Sequence, residues 1–198
     1  MRPEEAIDAA CAAIRVAQSG RAMIVVAIDG GGGAGKSTLA TGMRDRLGNV
    51  SILRTDHFYL PLNEYPAGRL APDEAYRLYF PWERMRDEAL IPLRRGQAAR
   101  YQRYDWETDR LDQWVIVEPN EIVVVEGVYS ARPEIRPLID LAIFVETPRD
   151  ERRKRMLARA HLARHINNDW LTPWMAAEDW YFANVRPAAH ADLVVAGI

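Results

Sequence analysis

Gly30-Gly31-Gly32-Gly33-Ala34-Gly35-Lys36-Ser37 fits the spacing G-x-x-x-x-G-K-[ST], a loop that holds phosphate groups. The apolar-rich run Ala22 to Ile28 enters it as a strand. Thr38, Leu39, Ala40 and Met43 leave it with helical spacing. Glycines let the backbone curl so that successive N–H groups face one concavity, a nest for anionic oxygens. The helix that starts near Lys36 adds its partially positive end. In such a loop the Lys36 ammonium reaches the β- and γ-phosphates and the Ser37 hydroxyl binds Mg²⁺.

Of 26 basic residues only Lys36 and Lys154 are lysine. A chain that almost always uses arginine therefore has lysine where the motif needs a flexible ammonium rather than a planar fork. Two other readings compete. One is a glycine-rich turn that merely joins strand to helix. The other is a dinucleotide fingerprint, since Gly30, Gly32 and Gly35 also satisfy G-x-G-x-x-G and Asp56 lies about twenty residues on, where a ribose-binding acid belongs. Lys36-Ser37 is unnecessary for a dinucleotide and required for a triphosphate with Mg²⁺, which favours ATP and Mg²⁺ as cofactors.

At 198 residues the chain reads as one domain, 1–198, long enough to bury a substantial core. A net charge of −2 supplies no basic field for nucleic acid, so the expected partner is a small-molecule substrate. No apolar run reaches the roughly 20 residues of a membrane span. The early Glu4, Glu5 and Asp8 are unlike a secretory signal. A single cysteine, Cys11, fits a reducing cytoplasm. A homo-oligomer is possible and not readable from the sequence.

Outward from the loop, Pro3 to Gln18 has the spacing of an amphipathic helix, stopped by Gly20. A helix runs to about Leu47 after the loop, and Val50 to Leu53 is a short strand ending at Thr55-Asp56. Residues 57–72 read as loop, Asp73 as the cap of a helix through Phe80, and Trp82 to Arg94 as helical. Tyr101 to Asp112 reads as a polar-aromatic loop, with a short strand at Trp114 to Val117. Ile122 to Val125 and Leu141 to Val145 are continuous apolar runs, the pattern of strands covered on both faces. Between them Ser130 to Leu138 reads as a turn and short helix. Pro148 starts a basic helix to about His165, Thr172-Pro173 starts another, and Leu193 to Val195 is the last strand. Alternation of this kind predicts an α/β fold of three layers, a parallel sheet with helices on both faces. Binding groups then belong at the carboxyl ends of strands, where the glycine loop, Asp56 and Glu126 all fall.

A carboxylate at Asp56 can accept the proton of an attacking hydroxyl, help hold the metal, or simply cap a turn. His57 beside it reads equally as a packed loop histidine. Glu126, at the end of Ile122-Val123-Val124-Val125, suits the second half of a Mg²⁺ site, with Gly127 allowing a close turn. Arg152, Arg155 and Arg159 recur at helical spacing and put three guanidiniums on one face. That face either closes over a triphosphate or is solvated beside Asp150 and Glu151. Tyr101, Tyr104, Asp105, Trp106 and Arg110 combine rings, acid and base. They either stack on a planar substrate or pack a loop onto the body.

With these segments in order, the chain resembles the uridine kinase-like group of P-loop kinases, which also includes pantothenate kinase and phosphoribulokinase. The resemblance covers nearly all of residues 22–196. It rests on the glycine loop, Thr55-Asp56-His57-Phe58-Tyr59, Tyr104-Asp105-Trp106 and Val124-Val125-Glu126-Gly127. It continues in Asp140 to Thr147 with the arginine helix after it, and in Ala191-Asp192-Leu193-Val194-Val195. It implies a P-loop NTPase fold with a substrate-side insertion at 57–113 and a helical lid at 148–170. It also implies an ATP- and Mg²⁺-dependent kinase acting on a metabolite hydroxyl, nucleoside first. The resemblance makes Asp56 the catalytic base, Ser37 and Glu126 the Mg²⁺ site and Arg152 and Arg155 the lid arginines. Tyr104 becomes a base-stacking ring, and Tyr59 and Arg110 are further substrate residues. Gly30 to Thr38, with Lys36, hold the nucleotide.

The chain departs from uridine kinases at two places. The segment after Tyr104-Asp105-Trp106 is Glu107-Thr108-Asp109-Arg110, without the histidine that reads the pyrimidine. Tyr79-Phe80-Pro81-Trp82 replaces the stretch bearing the ribose-reading acid. A regulatory ATPase without a small acceptor is the main rival function.

Overall fold

A computed structural model describes residues 2–66, 69–160 and 168–197. Helix α1 (Pro3–Gln18) leads to strand β1 (Ile24–Asp29), the glycine loop and α2 (Lys36–Leu47). Strand β2 (Val50–Arg54) ends in a 3₁₀ turn, Thr55–Phe58, and a second such turn covers Leu62–Glu64. Then come α3 (Pro72–Leu78), α4 (Trp82–Met85), a π turn at Arg86–Leu90 and α5 (Ile91–Arg94). Strands β3 (Ala99–Asp105) and β4 (Arg110–Val117) form a hairpin. The chain closes with β5 (Ile122–Glu126), β6 (Leu141–Glu146), α6 (Arg149–Ala160), α7 (Asn168–Asn184) and β7 (Leu193–Ala196).

The five strands other than the hairpin pair in parallel in the order β2-β5-β1-β6-β7. All residues of β1 and β5 are buried, so the runs that lack alternation are indeed covered on both sides. Their side chains divide between two cores. Ile24, Val26, Ile28 and Val124 face α1 and α2, meeting Ile7, Ile14, Leu39 and Met43. Val25, Ala27, Val123 and Val125 face the opposite side, with Phe58, Tyr76, Tyr101, Trp174 and Tyr181. The three-layer expectation therefore holds. Gly42 permits close packing of the first layer, because a Cβ there would stand 2.5 Å from Ile7 Cδ1.

The hairpin corrects the reading of Tyr101 to Asp112 as loop. Strand pairing runs from Ala99 opposite Val117 to Asp105 opposite Arg110. A register shift between Gln102 and Tyr104 interrupts the alternation by which a strand is recognised. Asp105 Oδ1 accepts bonds from the Glu107 and Thr108 N–H groups (2.8 and 3.0 Å), and Asp109 turns the chain at φ +51°. Two helix starts also move, and one helix is interrupted. Pro72 rather than Asp73 opens α3, with Glu74 accepting a bond from the Ala71 N–H. The Trp82 to Arg94 helix contains the π turn. Helix α7 begins at Asn168, which places Pro173 inside it rather than in its first turn.

Candidate active site

Asp29 ends β1 at the mouth of the glycine loop. Gly30 and Gly33 take φ of +142° and +77°, and Gly35 takes +103° as the N-cap of α2. These conformations suit glycine alone among common residues, and space demands it too. A Cβ at Gly30 would lie 2.5 Å from the Val145 carbonyl oxygen, and one at Gly31 would collide with the Arg152 guanidinium. Lys36 opens α2, is buried, and donates from Nζ to the Gly31 carbonyl at 2.8 Å. Its ammonium is thus held across the loop.

Ser37, the next residue, lies with its Oγ 3.1 and 3.2 Å from the two carboxylate oxygens of Glu126. In the sheet, Glu126 stands between Ile28 of β1 and Arg54 of β2. Burial raises its pKa and so does the negative charge of Asp56, while Lys36, the Ser37 bond and Arg54 oppose the rise. Asp56 is exposed in the 3₁₀ turn after β2. Gly127, at φ +147°, brings the next turn so close to β2 that a Cβ would collide with Thr55 Oγ1. The loop, Asp56 and Glu126 therefore meet at adjacent strand ends. A hydroxyl and a carboxylate are oxygen donors of the kind Mg²⁺ takes. Among the described residues no group of three or more His, Cys, Asp or Glu forms a metal cage.

Arg152 does not lie on a solvated face. It is 4% exposed, crosses Gly31, pairs with Glu178 and sits 5.2 Å over the Phe182 ring. Arg155 Nη1 donates to the Gly33 carbonyl at 3.4 Å, and its Nε pairs with Glu151. Helix α6 thus covers the loop through both residues. The Arg159 side chain and residues 161–167 of the expected lid fall outside the described residues.

Tyr59 and Tyr104 line a cavity of about 180 Å³ with Tyr65, Tyr79, Trp106 and Trp174. Tyr59 is 5.1 Å from Trp106 and 5.3 Å from Trp174, ring to ring. The Tyr104 hydroxyl donates to Asp109 at 2.7 Å, and Asp109 also accepts from the Leu62 N–H. Arg110 is absent from this lining; it is exposed at the start of β4. Tyr101 packs on Phe58 at 4.4 Å and meets His57 Nδ1 at 3.1 Å, so that ring and His57 pack the insertion rather than face the cavity.

Two buried acids escaped the sequence reading. Asp29 accepts bonds from the N–H groups of Gly30, Tyr129 and Ala131 and from the Tyr181 hydroxyl, at 2.6 to 3.1 Å. It ties the loop to the segment after β5 and to α7. Glu178 accepts from the Gly32 N–H at 2.9 Å, from Trp174 Nε1 at 2.8 Å and from Arg152. Burial raises the pKa of both carboxyls against these partners. Their signals were an acid directly before the glycines and the acid pair Glu178-Asp179 after the small pair Ala176-Ala177.

Residues 25–197 match the model of the phosphoribulokinase / uridine kinase family. The chain belongs to that family. It is 29% identical over 183 residues to the uridine kinase of Halobacterium salinarum, covering 86% of this chain and 78% of that one. To the uridine kinase of Clostridium perfringens it is 30% identical over 145 residues, 69% and 67% of the two chains. In fold it is similar to a solved protein of Bacillus stearothermophilus described as a possible uridine kinase, with a TM-score of 0.77 at 24% identity and 98% and 99% coverage. As a member of this family the chain is a P-loop kinase, and the dinucleotide reading of the glycines is set aside.

Proposed function

We propose that this kinase uses ATP and Mg²⁺ to phosphorylate a hydroxyl of a small metabolite, a uridine- or cytidine-like nucleoside first. The observation that carries the proposal is the meeting of Lys36, the Ser37–Glu126 pair and Asp56 at adjacent strand ends, beside a cavity with an uncharged aromatic lining. Relatives named uridine kinase support the choice of acceptor.

In this reading the N–H groups of residues 30–38 and the Lys36 ammonium hold the triphosphate. Ser37 and Glu126 hold the metal, which supplies positive charge against the phosphoryl oxygens. Asp56 takes the proton of the acceptor hydroxyl as its oxygen bonds to the terminal phosphorus, and the bond to the bridging oxygen of ADP breaks. Arg152 and Arg155 on the lid, 148–170, balance charge on the transferring group. Tyr59 and Tyr104, on the insertion 57–113, flank the acceptor. Arg110 contributes only if the hairpin turn moves inward. With Cys11 buried and free, the chain suits the cytoplasm.

The test is an ADP-release screen over nucleosides, pantothenate, sugars and sugar phosphates, with and without Mg²⁺. A metal-dependent signal with a pyrimidine nucleoside is expected. Removing the Lys36 ammonium should lower that turnover by about 10²-fold or more. ATP hydrolysis indifferent to every acceptor would replace the kinase reading with a regulatory ATPase.

A further inference from the structure

The buried carboxylate of Glu178 lies where the ligand of a phosphate loop is expected. It engages Gly32, the third residue of the loop, through the backbone N–H at 2.9 Å. Its other oxygen pairs with Arg152, whose guanidinium lies against Gly31. Trp174 Nε1 holds the carboxylate from α7's own preceding turn, at 2.8 Å. The Lys36 ammonium is close enough to stabilise its charge. A backbone N–H of the loop, a lid arginine and the loop lysine are also the groups that a terminal phosphoryl recruits. Glu178 presents two oxygens and a negative charge to the same set.

Two phenols near Trp174 supply a second observation. The hydroxyls of Tyr59 and Tyr129 are buried and have no hydrogen-bond partner in the protein. Both rings lie near Trp174, and burial, with nearby negative charge that includes Glu178, keeps both phenols protonated. A buried donor without an acceptor destabilises the fold. Two unpaired donors thus stand against the tryptophan that holds Glu178.

We propose that Glu178 is an internal counter-ligand of the phosphate loop, occupying in the nucleotide-free protein the donors that the terminal phosphoryl of ATP takes over. This rests on the kinase reading above. Binding of ATP then requires the carboxylate to release Gly32 and Arg152, because two anions sharing these donors repel each other. The Arg152 guanidinium passes from the carboxylate to the phosphoryl group, so the Glu178–Arg152 contact is exchanged only when the third phosphate is present. ADP, lacking that group, leaves the Glu178 contacts in place.

The experiment compares a non-hydrolysable ATP analogue with ADP, each with Mg²⁺, by calorimetric titration of wild type and Glu178→Gln. The amide keeps the shape and loses the charge. Affinity for the analogue should rise about tenfold and affinity for ADP should stay within about twofold, because the wild-type contact taxes only the ligand that must displace it. Trp174→Phe, which removes one hydrogen bond to the carboxylate and keeps an aromatic ring, should shift the ratio in the same direction. It serves alone if Glu178→Gln does not fold. Equal shifts for both nucleotides, no shift, or a weaker analogue would overturn the proposal while leaving the kinase reading untouched. Wild-type protein that binds neither nucleotide would overturn both.

Discussion

Ser37 Oγ is within 3.2 Å of both carboxylate oxygens of Glu126, a residue 89 positions further along the chain. Parallel pairing of β1 with β5 produces this contact, since it brings the end of β5 beside the strand that launches the loop. The pair offers oxygen ligands already side by side. Replacing Glu126 with Gln should raise the Mg²⁺ concentration for half-maximal turnover by about 10- to 100-fold, while nucleotide binding in chelator is retained. A metal titration of the variant that overlays the wild type would remove Glu126 from the metal site.

Asp56 is exposed on the 3₁₀ turn after β2, and its charge reaches Glu126 and Tyr59. It thus lies near enough to both for its charge to bear on them. Asp56→Asn should lower kcat by about 10²- to 10⁴-fold, the usual span for a lost general base. ATP affinity should be unchanged. Turnover near that of wild type would show that another group takes the proton.

Asp29 bears a heavier structural duty. It satisfies three backbone N–H groups and one phenol in a dry interior. Asp29→Ala leaves those donors stranded, at about 1–3 kcal/mol each before relaxation. A loss of about 3 kcal/mol or more in chemical denaturation is expected. Tyr181→Phe, which deletes one donor, should cost less. If Asp29→Ala unfolds at the wild-type denaturant midpoint, the anchoring role is wrong.

His57 carries a pH signature. Burial lowers its pKa from 6.5 to about 4, aided by the positive charges of Arg54 and Arg103. A base depressed in the folded state stabilises it above the unfolded pKa, and that contribution disappears as pH falls from 6.5 toward 4. The raised carboxyls of Asp29, Glu126 and Glu178 act with the opposite sign, gaining stability as pH falls. The comparison of two proteins therefore carries the test. Between pH 6.5 and 4 the wild type should lose stability relative to His57→Gln. A constant difference between their melting temperatures over that window would contradict the assignment.

What the sequence discloses is what short-range patterning controls. The glycine loop, Lys36 and the unbroken apolar strands are local statements, and they appear where they were expected. Asp56 and Glu126 were legible because strand ends in a parallel sheet converge whatever the loops between them do. The hairpin was hidden because its bulge near Gln102 breaks the period of two, and its polar turn residues look like loop. Glu178 and Asp29 were hidden for another reason. Their partners lie far away in the chain, and a buried acid is indistinguishable from a surface one until its donors are located. The arginine face was equally ambiguous until Glu178 and Gly31 were seen around Arg152.

The two cores flanking the central sheet differ in kind. One is aliphatic, made by α1 and α2 around residues such as Ile14 and Met43. The other is crowded with rings, from Phe58 and Phe80 to Trp174 and Tyr181, and it merges into the cavity beside Asp56. The cavity and the aliphatic core therefore lie on opposite faces of one sheet. Exchanges at Tyr79, Tyr104 or Trp106 would reshape that cavity while leaving the aliphatic packing of α1 and α2 untouched.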